Sequence, residues 1–300
     1  MEHRQQSGTR PRLACEIMSN GVIAARASGN PLRLDLFTSR RLASGAVAPG
    51  LGGENIQDGE ALRSALSSAL GAVAPKDREL ILIVPDAAVR VLLLDFETLP
   101  AKAADFDPII RFRLKKSLPF DVERAAVSCD IRRENGNVRV VAAVSPREVM
   151  DDYETALRDA GYEPGVVLPA SIAALGLVEG VRPTLTLKVD EVNITIVAAQ
   201  NQELRLVRTL ENPHGAQVTA AELAEAVLPS IVFFEDSFAA RIEQICIGGV
   251  APIGEVGALL HQQTGAEVLE LAPEVSSDQN LGGEKVEPSA LAGVVGALLG

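Results

Sequence analysis

The stretch TLTLKVDEVNITIVAAQNQELRLVRTL, residues 184–210, decides the fold, because it reads as three short strands in immediate succession: Thr184–Val189, Val192–Ala198 and Leu204–Leu210. A matching meander opens the chain. LACEIMSNGVIAARASGNPLRLDLF, residues 13–37, holds three strands parted by turns at Asn20-Gly21 and Gly29-Asn30-Pro31. Each meander leads into a helix. The first spans Gly59–Val73, with Leu62, Leu66 and Leu70 recurring every four residues; the second is opened by a capping box, Thr219-Ala220-Ala221-Glu222, and runs to about Phe238 through Pro229. Strands follow both helices, Glu79–Val84 and Ile242–Ile247. Meander, helix and strand, occurring twice, predict two similar α/β halves.

Between those halves lies a block with its own pattern. Val89–Phe96 reads as a strand and Ala101–Leu118 as a helix with Ile110, Leu114 and Leu118 on one stripe, stopped by Pro119. Ala125–Arg133 and Asn137–Ser145 form a predicted hairpin joined by Glu134-Asn135-Gly136, and Ser145-Pro146-Arg147-Glu148 reads as a capping box opening a helix that ends at Gly161. The block 88–161 is therefore β-α-β-β-α. A strand at Val166–Leu168 and a helix at Pro169–Val178 follow; the chain closes with helix Ile253–Gln263, strand Ala266–Glu270, an acidic loop and a final helix.

Composition narrows the function classes. The 300 residues carry a net charge of −12 from 40 acidic and 28 basic side chains, which excludes a generally nucleic-acid-binding surface. Aromatic residues make up 3% with no Trp, too few for base-stacking platforms. Cys15, Cys129 and Cys246 are scattered, without a CxxC, so small buried thiols in a reducing compartment are expected. His3, His214 and His261 are isolated, which gives no zinc-ligand cluster. Polar, basic Met1–Arg12 is followed by no signal-like apolar stretch, and Pro288–Gly300 is too short to span a bilayer, which needs about 20 residues; a cytoplasmic address without a transmembrane segment is expected.

Several short blocks, in order and with matching gaps, resemble the type IV pilus assembly protein PilM family. They are Val84-Pro85-Asp86 with Val89-Arg90-Val91, the run Arg111-Phe112-Arg113-Leu114-Lys115-Lys116-Ser117-Leu118-Pro119-Phe120, and Val141-Ala142-Ala143-Val144-Ser145-Pro146-Arg147-Glu148-Val149. Tyr153, Leu157, Ala160-Gly161-Tyr162-Glu163-Pro164 and Gly248-Gly249 continue the match, which covers about residues 12–300 and is most specific over 84–175. The resemblance implies an actin-like fold, with two RNase H-like halves facing a nucleotide cleft and, as in the cell-division protein FtsA, a small subdomain inserted in the first half. It assigns 1–11 to a disordered terminus, 12–85 and 163–182 to the first half, and 86–162 to the insertion. Residues 183–272 form the second half with a reduced outer subdomain, 273–287 an acidic loop and 288–300 a helix packing back on the core.

The resemblance also implies a partner and a cofactor. In the family, the groove between insertion and first half takes the cytoplasmic amino-terminal peptide of the bitopic membrane protein PilN, and PilM thereby couples cytoplasmic motor components, pilus motor ATPases among the implied partners, to the inner-membrane platform; a place peripheral to the inner membrane follows. Arg111, Phe112, Lys115, Lys116, Leu118 and Phe120 are the partner-binding candidates. Actin-like ATPases hold ATP and Mg²⁺ with two Asp-x-Gly hairpins. Here Glu16 stands for the first acid and Met18 for its glycine, ahead of Ser19 and Asn20, while Thr186 and Lys188 replace the second acid and glycine. Gly248-Gly249 matches the adenosine-side turn, although a glycine pair after a strand is also an ordinary turn. This degenerate pocket implies weak ATP binding at most and argues against hydrolysis. The alternatives are an ATPase with drifted motifs and a cytoplasmic component of type II secretion like GspL.

Plainer readings stand beside these. Arg111, Arg113, Lys115 and Lys116 place four cations in six residues, to meet an acidic segment or an anionic membrane, or only to solvate a helix face. Phe112 and Phe120 fit a core as well as a groove. Asp151, Asp152 and Glu154 suit the first turns of a helix, where acids complement its dipole, better than a metal or acid–base site. Asn193-Ile194-Thr195 is a fortuitous glycosylation sequon within a strand, and no P-loop, Gly-x-Ser-x-Gly or Gly-x-Gly-x-x-Gly occurs.

Overall fold

The structure, a computed structural model, describes residues 10–134, 137–250, 252–282 and 284–300. Its first sheet is built from β1 (Leu13–Met18), β2 (Gly21–Ser28), β3 (Arg33–Arg41), β4 (Glu79–Val84) and β8 (Glu163–Pro169), in the order β3-β2-β1-β4-β8. The second, from β9 (Thr184–Val189), β10 (Asn193–Gln200), β11 (Glu203–Glu211), β12 (Gln244–Gly248) and β13 (Glu267–Glu270), runs β11-β10-β9-β12-β13. In each, three antiparallel meander strands are followed by two parallel ones, so the predicted repeat is a repeat of topology. The apolar run Leu80–Val84 is continuous because β4 lies between two parallel neighbours and is covered on both faces.

Helices fill both faces of the first sheet. On the outer face, α1 (Gly59–Val73) buries Leu62, Leu66, Leu70 and Val73 against Leu13, Cys15, Leu82 and Val84. Asp58 caps it, accepting from the Ala61 amide at 2.9 Å. On the inner face, α4 (Ala170–Ala174) and α7 (Ala292–Leu299) cover Ala14, Ile23, Ile81 and Ile83. The second sheet carries α5 (Ala220–Phe238) and α6 (Gly254–Thr264) on its outer face, over Leu185, Leu187, Ile196 and Ile247. The inner faces meet where Ala174 of α4 and Ala292 of α7 join Cys246 and Leu271. Helix α7 is buried from Ala292 to Leu298, and its packing depends on glycine: a Cβ on Gly176 would collide with the Gly296 carbonyl oxygen. Among the described residues no helix is long and apolar enough to cross a membrane.

The insertion is a three-stranded antiparallel sheet, ordered β5-β7-β6, from β5 (Arg90–Phe96), β6 (Ala125–Glu134) and β7 (Asn137–Pro146), with α2 (Ala103–Leu114) on one face. Alternation along the strands decides which side is which. Leu94, Val138, Val140, Ala142 and Val144 form a separate core with Ile110 and Leu114 of α2, whereas Val91, Ala126 and Ala143, on the opposite face, pack against the first half. The following helix, α3 (Arg147–Asp159), which the sequence reading places in the insertion, buries Val149, Met150, Tyr153 and Leu157 in the first half's core instead.

The local expectations fare unevenly. The box at Thr219 is made in full: Thr219 Oγ1 accepts from the Glu222 amide at 3.3 Å while Glu222 Oε2 accepts from the Thr219 amide at 2.8 Å. The box at Ser145 is not, and the reason is Pro146. Its extended backbone (φ −51°, ψ 134°) makes Pro146 itself the N-cap, so Ser145 stays in β7 and its hydroxyl donates to the Ala88 carbonyl at 2.7 Å. Helix α2 ends at Leu114, short of Leu118, and the 169–178 segment shortens to α4 followed by a 3₁₀ turn, Leu175–Leu177. Only eight residues, 212–219, separate β11 from α5, where an outer subdomain would stand. The acidic loop runs beside β3, with the Leu281 amide donating to the Phe37 carbonyl at 2.9 Å and Thr38 Oγ1 to the Leu281 carbonyl at 3.0 Å. Asn135 and Gly136 of the hairpin turn, and residues 1–9 of the amino terminus, lie outside the described residues.

Candidate functional site

The two β-turns that open the meanders come from opposite halves and meet across a cleft of about 730 Å³. Ser19 and Asn20, in the β1–β2 turn, both donate to Glu191 in the β9–β10 turn: Ser19 Oγ to Oε2 at 3.1 Å and Asn20 Nδ2 to Oε1 at 3.0 Å. The second turn is stiffened by Asp190, whose Oδ1 accepts from the Val192 and Asn193 amides at 2.7 and 2.8 Å. The tips of the two hairpins are therefore latched to each other.

Below the latch, at the end of β9, Lys188 Nζ donates to Glu16 Oε1 at 2.8 Å. Glu16 is 1% exposed and the lysine side chain 13%, so this is a buried ion pair joining the halves. Asp86, at the end of β4, is buried nearby and accepts from Ser171 through its amide at 3.0 Å and its hydroxyl at 2.7 Å. Burial alone would lower the lysine pKa, but the carboxylates of Glu16, Asp86 and Asp190 outweigh it and raise the pKa above its ordinary value. Burial raises Asp86 and Asp190 above the usual carboxylate range, against the pull of Lys188. Among the described residues Glu16 Oε2 has no hydrogen-bond partner; it lies against Gly293, the second residue of α7, where a Cβ would collide with it and where the helix start carries partial positive charge. One lysine thus serves three carboxylates, with Glu191 a fourth at the mouth. The lysine at this end of the cleft is therefore engaged by the protein's own carboxylates, while Arg40, Arg41 and Lys285 line the cleft elsewhere together with Glu284 and Glu287.

The remaining nucleotide candidates divide. Met18 and Gly249 line the cleft, but Thr186 does not: it is buried on the inner face of β9, two residues deeper than Lys188. Gly248 pairs with Lys188 in the β9–β12 register. Gly249 has φ +84° and a Cβ there would collide with the Val189 carbonyl oxygen, so this glycine is required by the chain's own packing. Asp86, Asp190, Glu191 and Gly293 were missed by the sequence reading. Asp86 carried a signal, an acid directly after a buried parallel strand; Gly293 carried none, because its neighbour is 277 residues away.

The six partner candidates are not brought together at the junction of insertion and first half. They belong to α2 and the segment after it, on the face of the insertion sheet that points away from that junction. Leu118 and Phe120 are half-buried in the insertion's own core. Arg111 is tied to Asp107 at 2.9 Å and to the Val122 carbonyl at 2.7 Å. Phe112, Lys115 and Lys116 are exposed, with Lys116 Nζ 5.4 Å from the Phe112 ring centre. The junction-facing side of the sheet, which packs on the first half, also touches the second: Arg139 pairs with Glu203 of β11 at 2.8 Å.

No family model matches the sequence, and no curated protein matches it. Among solved structures, the chain is similar to a PilM–PilN type IV pilus biogenesis complex, at 19% identity and a TM-score of 0.80, covering 96% of this chain and 98% of that one. The cytoplasmic domain of EpsL, an inner-membrane component of the Vibrio cholerae type II secretion system, superposes at 13% identity and 0.54 over 96% and 94% of the two chains. The ethanolamine utilization protein EutJ from Carboxydothermus hydrogenoformans does so at 8% and 0.57 over 98% and 91%. With one strand order in both halves, a cleft between them and these neighbours, the chain has the actin-like fold: two RNase H-like halves with a small subdomain inserted in the first.

Proposed function

We propose that this chain is a cytoplasmic actin-like adaptor of a type IV pilus inner-membrane complex, which holds a segment of a PilN-like bitopic partner and works without ATP hydrolysis. The observation that carries the reading is the cleft, where the buried Lys188–Glu16 pair and the Ser19/Asn20–Glu191 latch occupy the phosphate-gripping positions with the protein's own groups. The similarity at TM-score 0.80 to a complex containing PilN supplies the partner class, and favours a pilus over a type II secretion system, for which the similarity is 0.54. Since α2 faces away from the junction, the peptide is assigned to the free edge of β6. There an extended segment adds as a strand, and Ser128, Asp130 and Arg132 are exposed on the side toward the first half.

The test is titration of the full chain with the synthetic amino-terminal peptide of a PilN-like protein, followed by hydrogen exchange, alongside calorimetry with Mg-ATP. Peptide binding with new protection over 125–133, and Mg-ATP binding weaker than about 100 µM, are expected. Low-micromolar Mg-ATP affinity with turnover, or no peptide binding, overturns the reading.

A further inference from the structure

Two exposed apolar surfaces on this chain complement each other. On α2, Phe112 is 67% and Ile109 40% exposed, beside Arg113, Lys115 and Lys116. The result is a convex apolar knob with a cationic rim; the acids of this helix, Asp105 and Asp107, lie toward its start. On the outer face of the second half, α5 and α6 leave an apolar groove of about 760 Å³ between them, lined by Leu228, Pro229, Val232, Phe233 and Leu259, with Glu225 at its edge. Val232 and Phe233 are more than half exposed. These two helices carry Glu222, Glu225, Glu235, Asp236 and Glu255 and no Lys or Arg, so the groove, with Glu225 in its lining, lies on an acidic helix pair.

We propose that α2 of one copy docks into the α5–α6 groove of a second copy. Charge complementarity selects this occupant. An anionic lipid surface satisfies the knob but is repelled by the groove, and an acidic peptide likewise leaves the groove bare, whereas a second copy covers both surfaces at once. The knob is on the insertion and the groove on the outer side of the second half, so one chain cannot close the contact on itself. The contact is head-to-tail and builds an open chain or a ring, not an isologous dimer. Phe112 fills the groove against Val232 and Phe233, and Arg113 and Lys116 meet Glu225 and the acidic surface of the two helices. This inference does not depend on the identity of the pilus partner.

Analytical ultracentrifugation of the full chain across the micromolar range tests it. A weight-average mass rising above the 31.6 kDa monomer, and falling back as salt is raised, is expected. Phe112→Ser and Phe233→Ser should each weaken association about tenfold or more while leaving the melting temperature in place, since both side chains are exposed. A mixture of the two variants is decisive. Each retains one intact surface, so the mixture should form a 1:1 dimer that grows no further. A wild-type chain that stays monomeric overturns the proposal, as does a mixture that fails to pair. So does Phe112-dependent sedimentation with phosphatidylglycerol vesicles, or Phe112-dependent capture of the PilN-like peptide, by a chain that shows no self-association.

Discussion

At the residue scale, the chemistry of the cleft rests on Lys188 and the carboxylates around it. Removing one member of a buried pair leaves the other without compensation, so Glu16→Gln or Lys188→Met alone should each cost about 3 kcal/mol or more in urea unfolding, while the double variant should cost clearly less than the sum. Additive effects would show that the 2.8 Å contact carries no coupling. The pH dependence has a definite sign. Because the folded lysine pKa is raised, its stabilisation is complete below the unfolded value of about 10.4 and is lost only as pH rises through the higher folded value. The stability difference between wild type and Lys188→Met should therefore stay level from neutral pH to about 10 and shrink above it. Asp86 acts oppositely: burial raises its pKa, so stability falls as pH rises from about 3.9 through its folded value.

At the element scale, the two candidate capping boxes separate local signals from those that a neighbour overrides. The reciprocal bonds of Thr219 and Glu222 close within one helical turn, so four residues of sequence were enough to read the motif, and Thr219→Ala should cost about 1 kcal/mol in thermal or urea unfolding. Ser145 carries the same four-residue pattern, but the extended conformation of Pro146 moves the cap by one residue, and the serine answers to Ala88, 57 positions away. The end of the chain repeats the lesson. Apolar Ala292–Leu299 reads as a helix, yet the sequence does not show that it docks through glycine contacts with the 3₁₀ turn at Leu175–Leu177. Gly176→Ala should push the Gly296 backbone away and destabilise by about 1–3 kcal/mol, with increased hydrogen exchange confined first to α7. Unchanged exchange there would show that the helix end tolerates the extra methyl.

At the scale of the whole molecule, the halves are joined by the Lys188–Glu16 pair, by the Ser19/Asn20–Glu191 latch and by the packing of Ala174 and Ala292 on Cys246 and Leu271. The radius of gyration from small-angle scattering should therefore be the same with and without millimolar Mg-ATP, and a decrease would mean that the cleft closes on nucleotide. By itself the sequence determined the repeated meander, helix and strand plan and the extents of α1, β4 and α5, because strand period, turn residues and a reciprocal cap act within a dozen neighbours. It misplaced the second hairpin: Thr186 lies two residues deeper than the cleft, and Lys188, Asp190 and Glu191 stand there instead. Tertiary structure alone decided that Glu16 and Lys188, 172 positions apart, neutralise each other, and that Gly249 serves the Val189 carbonyl. Tertiary structure likewise set α3 in the first half's core and α2 on the far side of the insertion sheet. Each of these depends on which face of a sheet meets which helix, and a period of two in the sequence names the two faces without saying what lies against either.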